Sequence, residues 1–140
     1  MRFWDSSAVV PLLLEQPLSE RARQILHEDP DVVVWWATPV ECASALARLR
    51  REGVVDQATE TRLHRDLERL RSGWYEMVPG DGIRARALRA LRMHALRASD
   101  ALQLAAALEW SDAPASATIV TFDERLASAA ELEGFVVAGR

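Results

Sequence analysis

Apolar residues fall in two periods along this chain. Short, nearly continuous apolar runs recur at Phe3-Trp4, Val32-Val33-Val34-Trp35-Trp36, Trp74 to Val78, Thr118 to Thr121 and Phe135 to Val137. The run from Val32 is branched or aromatic throughout, as a parallel strand buried on both faces requires. Helical spacing fills the gaps. An apolar helix follows Ser6-Ser7 through Leu14, with Pro11 limiting how early it becomes regular. Ser19 caps a helix through about Glu28, and Thr38-Pro39-Val40-Glu41 opens one that ends near Glu52-Gly53. Asp56 opens a helix with Leu63, Leu67 and Leu70 on one face, stopping at Ser72-Gly73. After a turn at Pro79-Gly80-Asp81-Gly82, a helix runs from about Ile83 to Met93, and a last one from Asp123 to Glu133. Strands alternating with helices predict a parallel sheet covered on both faces. The expected fold class is α/β, a three-layer α/β/α sandwich forming one domain over residues 1–140.

The stretch from Arg97 to Trp110 breaks the amphipathic rule. Between Ala101 and Leu108 only Gln103 is polar, so the helix is apolar nearly all round and belongs inside a core. A loop through Pro114 follows it. Yet Asp100 stands at its first turn, and a carboxylate entering a low-dielectric interior needs a partner. One explanation is capping, with Ser99 as N-cap and Asp100 favoured by the helix dipole. The other is a bound cation.

Three further acids bear on that choice. Asp5 ends the first strand, Glu41 lies in the first turn after the second, and Asp123 follows the strand ending at Thr121. With Asp100, all four fall where helices begin, on the side where a parallel sheet presents its strand ends and binds ligands. Each has a local explanation. Glu41 can reach back to Thr38 in a capping box, Asp123 can cap the last helix, and Asp5 can satisfy the amides that follow it. Four such coincidences at one edge favour a single site. Mg²⁺ takes few carboxylates, keeps several waters and accepts phosphate oxygens, and two such ions can clamp an in-line phosphoryl displacement. Ser7 and Thr121 place hydroxyls two residues from an acid, suited to orienting a carboxylate or water.

Composition narrows the chemistry. The chain has 17 arginines and no lysine, which excludes lysine-dependent phosphate loops. A net charge of −4 argues against a generally basic nucleic-acid binder. If four of the 21 acids gather in one pocket, the remaining 17 balance the arginines. Cys42 is the one cysteine, so neither a disulfide framework nor a cysteine-rich zinc site is possible; it reads as a small buried hydrophobe. His27, His64 and His94 have no ligand spacing. No apolar run reaches 18 residues and the N-terminus lacks a signal peptide's apolar stretch, so a soluble, cytoplasmic protein without a membrane partner is expected.

Asp5-Ser6-Ser7-Ala8, Thr38-x-x-Glu41, Leu96-Arg97-Ala98-Ser99-Asp100-Ala101-Leu102-Gln103-Leu104 with the alanines that follow, and Thr121-Phe122-Asp123-x-x-Leu126 before Ala129-Ala130-x-x-x-Gly134 together resemble the PIN domain, in size and spacing the VapC-type toxins of bacterial toxin–antitoxin pairs. The resemblance spans nearly the whole chain. It implies an endoribonuclease that depends on Mg²⁺ (or Mn²⁺) and cuts single-stranded or structured RNA. On matching positions, Asp5 and Asp100 become the principal metal ligands, Glu41 and Asp123 complete the acidic site, and Ser7 or Thr121 assists. It also implies a homodimer and a cognate VapB-type antitoxin whose tail occludes the acidic pocket.

Between Asp81 and Asp100 there are five arginines and no acid. Arg86, Arg89 and Arg92 share a helix face opposite Ile83, Ala87 and Leu91, which makes them either a strip for RNA phosphates or a solvated face. Trp35 and Trp36 fit core packing, with base stacking as the other use. The face of Leu63, Leu67 and Leu70 is either interior or a groove for a dimer or antitoxin partner. Two competing functions stay open. One is a catalytically weak PIN-like module that binds RNA or protein. The other is an aspartyl-nucleophile phosphohydrolase, disfavoured because Asp5-Ser6-Ser7 lacks a second acid two positions on.

Overall fold

The computed structural model describes residues 1–111 and 113–140. Asp112, within the loop expected after the central helix, lies outside the described residues. Five strands form one sheet: β1 (Arg2–Trp4), β2 (Val32–Trp35), β3 (Tyr75–Met77), β4 (Thr118–Val120) and β5 (Val136–Ala138). Their order is β3-β2-β1-β4-β5 and every pairing is parallel. Parallel neighbours need long crossovers, and among the described residues seven α-helices accompany them: α1 (Ser6–Leu13), α2 (Ser19–Glu28), α3 (Thr38–Arg51), α4 (Gln57–Arg71), α5 (Asp81–Met93), α6 (Ala98–Trp110) and α7 (Glu124–Leu132). A 3₁₀ turn, Pro114–Ser116, leads into β4. No helix among the described residues is long and apolar enough to cross a membrane.

Side-chain alternation divides the interior into two layers. Phe3 pairs with Val33 and Ile119, and all three meet Ile83 and Ala87 of α5, Leu104 of α6 and Leu126 of α7. One residue on, Trp4, Val34 and Val120 turn to the other face and meet Val9 of α1, Ile25 of α2, Cys42 of α3 and Leu67 of α4. The expected three layers are therefore present. On α6, Ala101, Leu104, Ala105, Ala106 and Ala107 are all fully buried, as its apolar sequence requires.

The strand order places a topological switch between β1 and β4, because the chain leaves β1 toward α1 on one face and leaves β4 toward α7 on the other. Crevices outside strand ends at such points are where open α/β sheets bind ligands. Asp5 and Thr121 are the first residues past these two strands. Asp5 N–H donates to the Val120 carbonyl (3.0 Å), and Thr121 N–H to that of Ala138 (3.1 Å). Gly139 lets the chain pass that edge: its φ is +120°, and a Cβ there would lie 2.3 Å from the Thr121 carbonyl oxygen.

Several local expectations are corrected. α1 is regular from Ser6 and holds Pro11 in its second turn, buried among apolar neighbours. Ser19 is the first residue of α2 rather than its cap; its hydroxyl donates to Leu14 O and accepts from Gln16 N–H, closing the preceding loop. α5 starts at Asp81, inside the expected turn, with Gly80 as N-cap. α6 starts at Ala98 with Arg97 as N-cap, so Ser99 is already helical. Two residues of the α4 leucine face are interior: Leu63 packs with Leu46 and Val55 between α3 and α4, and Leu67 sits under the sheet, while Leu70 is partly buried and lines an apolar cleft with Trp4, Leu26 and Trp74.

Candidate active site

Asp5 is delivered to the crevice by β1 and held rigidly there. Its Oδ2 accepts from Ser7 N–H (3.2 Å), from the Ser7 hydroxyl and from Thr121 Oγ1 (3.0 Å). The Ser6 hydroxyl approaches Oδ1 at 3.3 Å and lies nearer Glu41 Oε2, at 2.8 Å. Asp5 is thus both the N-cap of α1 and a site residue. The expected roles of Ser7 and Thr121 have a geometric basis, since both hydroxyls orient its carboxylate and lie 3.2 Å from each other.

Glu41 does not form the capping box with Thr38. The N-cap of α3 is Ala37, and Thr38 is buried with its hydroxyl accepting from Gln103 Nε2 (3.1 Å). Glu41 Oε2 accepts from the same Nε2 (3.0 Å) as well as from Ser6. The glutamate therefore faces α1 and α6 instead of its own helix start. Asp100 keeps a capping role, its Oδ2 accepting from Arg97 N–H at 3.2 Å. Asp123 also caps: its Oδ1 accepts from Arg125 and Leu126 N–H, both at 2.9 Å. Its own N–H donates to Thr121 Oγ1 (3.1 Å), the hydroxyl that orients Asp5.

Glu41 feels two of the other acids. Burial raises the Glu41 carboxyl above its ordinary range, hydrogen bonds from Gln103 and Ser6 lower it in part, and the charges of Asp5 and Asp100 raise it again. Burial likewise raises Asp5 despite the hydrogen bonds from Ser7, Thr121 and the neighbouring amides. Asp123 reaches the same rim through Thr121 but is not among the charges acting on Glu41. Cys42 lies just behind. Burial, then Asp5 and Glu41, push its thiol up to about 12, so it is an inert filler at neutral pH.

The donor set suits a hard divalent cation. Glu41, Asp100 and Asp123 each use one oxygen for positioning and leave the other without a close protein donor among the described residues, while Asp5 Oδ1 has only the long Ser6 contact at 3.3 Å. Like charges gathered in a partly buried crevice call for a counter-charge. Among the described residues, no three His, Cys, Asp or Glu side chains enclose an ion as they stand.

Gln103 and Ser6 escaped the sequence reading as site residues. Gln103 had a signal: it is the sole polar position in the apolar part of α6, three residues from Asp100 and so on the same helix face. Its Oε1 is buried without a donor among the described residues. The arginine strip is differently placed from expectation. Arg86 pairs with Glu109 (2.7 Å) and Arg89 with Glu133 (2.8 Å), tying α5 to α6 and to the end of α7. Arg92 has no carboxylate partner among the described residues, and Leu91, expected on the packed face, is exposed. Trp35 is buried in the core, whereas Trp36, the residue after β2, is half exposed.

A family model for the PIN domain matches residues 2–132. The chain belongs to the PIN domain family. PIN domains are generally nucleases. Solved structures with the same PIN fold include FitAcB from Neisseria gonorrhoeae, at 21% identity and a TM-score of 0.69 over 99% of this chain and 96% of that one. A toxin–antitoxin complex from Klebsiella pneumoniae matches at 17% identity and a TM-score of 0.66, over 97% and 96%. Mycobacterium tuberculosis VapC20, a toxin that cleaves the sarcin–ricin loop, matches at 17% and 0.68, over 97% of each chain. At such identities the likeness is one of fold. No curated protein matches the sequence.

Proposed function

We propose that this PIN protein, acting as a single domain, is a Mg²⁺- or Mn²⁺-dependent endoribonuclease that hydrolyses phosphodiester bonds in single-stranded RNA. The observation that carries the reading is the hydrogen-bond chain that joins Asp5 to Glu41 through Ser6 and to Asp123 through Thr121, with Asp100 close enough for its charge to act on Glu41. When bound, the divalent ion supplies charge neutralisation at the phosphate oxygens. Asp5 and Asp100 would hold the ion as its principal ligands, and Glu41 and Asp123 would complete the acidic site. Gln103 and Ser6 fix Glu41 through Oε2, and its raised affinity for a proton suits it to take one from the attacking water through Oε1. A role as the toxin of a toxin–antitoxin pair is supported by the Klebsiella and Neisseria neighbours. It brings with it a VapB-type antitoxin covering the acidic crevice, a homodimeric state and a cytoplasmic setting.

The test is incubation of the purified protein with cellular RNA and Mg²⁺ or Mn²⁺, followed by sequencing of new ends. Discrete cuts that vanish on chelation are expected. RNA left intact with either metal at protein excess ends the cleavage reading. Gln103→Leu removes the amide donor that Glu41 and Thr38 share, and outer groups that orient a site are worth roughly 10–100-fold. Cleavage should fall by about that factor, with the circular dichroism of the folded protein unchanged. An undiminished rate would show that Gln103 only fills space.

A further inference from the structure

Resting on the ribonuclease reading, we propose that Arg48 forms a phosphate subsite holding a linkage that flanks the scissile one. A cleft of about 220 Å³ opens beside the carboxylates, with Ser6, Ser7 and Glu41 at one end and Gln16, Ala45 and Arg48 lining the rest. Glu41, Ala45 and Arg48 recur at i, i+4 and i+7, so α3 presents them in a row on one face. At 1.5 Å per residue the row is roughly 10 Å long. Substrate held over Glu41 therefore runs along α3 toward Arg48. The volume is below the roughly 300 Å³ at which pockets for larger ligands begin, and matches a phosphate with its sugar.

Charge decides what the far end holds. Asp5, Glu41 and Asp100 repel a polyanion, so a chain of net charge −4 needs a cation placed beside them to seat one. Arg48 is the cation lining this cleft. Its contact with Glu52 is at 4.0 Å and through Nε, beyond hydrogen-bond range, and its side chain is 63% exposed. Both terminal nitrogens are without a carboxylate partner among the described residues. Arg86 and Arg89, by contrast, are engaged at 2.7 and 2.8 Å. A guanidinium fork of this kind takes a phosphate through two parallel hydrogen bonds, and the Gln16 amide adds a neutral donor.

The test uses the full chain and a short single-stranded RNA containing one cut site, made with a neutral methylphosphonate at each flanking linkage in turn. Arg48→Gln should lower kcat/KM on the native RNA about tenfold. The neutral linkage at one flank should lower the wild-type value by a similar factor and the variant's by less than about twofold. In chelator, fluorescence anisotropy should show weaker binding by Arg48→Gln and a salt slope smaller by about one. Arg48→Lys should restore part of both, and Arg65→Gln, a charge removed from α4, should change neither. Equal behaviour of Arg48→Gln and wild type overturns the proposal, as do losses that multiply at both flanks. If wild-type protein cleaves no RNA at all, the cleavage reading fails separately, and the binding arm alone decides for or against Arg48.

Discussion

Asparagine at position 5 lowers RNA cleavage by at least about a hundredfold and, in the same protein, raises the melting temperature of the metal-free fold by a few degrees. The two effects have one cause. Asp5 is 5% exposed, and burial raises its carboxyl above the ordinary 3.8 against the pull of the Ser7 and Thr121 hydrogen bonds. A carboxyl raised on folding is one whose charged form the fold disfavours. Metal-free stability is therefore lowest above the folded pKa. It rises as pH falls through that value and levels off below the unfolded one. Asparagine is neutral at every pH, accepts the same hydrogen bonds through Oδ1, and removes that dependence. It also removes the negative oxygen that an ion requires, and losing a ligand is at least as damaging as the 10–100-fold loss of an outer orienting group. Calorimetry with Mn²⁺, melting curves between pH 4 and 8 in chelator, and cleavage rates measure all three. A variant that is less stable than wild type in chelator contradicts the assignment of Asp5 as a strained, ion-seeking carboxylate.

Phe3→Ala destabilises the fold by about 3–5 kcal/mol, a fall in melting temperature of roughly 10–15 °C for a domain of this size. Phe3 is fully buried on the central strand, between Val33 and Ile119, with its ring 6.2 Å from that of Trp110. The cavity left by alanine lies beneath α6, where Leu104 and Trp110 lose the ring they pack against and the neighbouring alanines are too short to fill the space. Urea unfolding gives the value. A cost under about 1 kcal/mol is incompatible with the two-layer division of the core. Leu132→Ala is the natural comparison, because at 78% exposed it leaves little buried area to lose and stays within about 0.5 kcal/mol.

Much of the architecture was legible in the residues. The apolar runs and helical periods located every strand and helix to within a few positions, and their alternation predicted the parallel sheet. The ends were less legible. Expectation put Ser99 and Ser19 at helix caps because hydroxyls prefer them. In the structure Arg97 is the N-cap of α6, with Asp100 reaching back to its N–H, and the Ser19 hydroxyl is taken up by the loop before α2. Capping preferences are small, and tertiary contacts override them. The arginines of α5 show the same limit. Their spacing revealed that they share a face, but not that Glu109 and Glu133 occupy two of them.

The order of residues by itself determined that four acids stand where helices begin at one edge of a sheet, since strand and helix periods are local properties. It left Glu41 between two uses, and only the tertiary structure removed one of them, the capping box. Thr38 is satisfied by Gln103, 65 positions away, and Glu41 by Gln103 and Ser6. A capping box and a shared site use the same residues at the same spacing. What separates them is which donors the packed helices bring within 3 Å, and that is set by contacts between segments far apart in the chain.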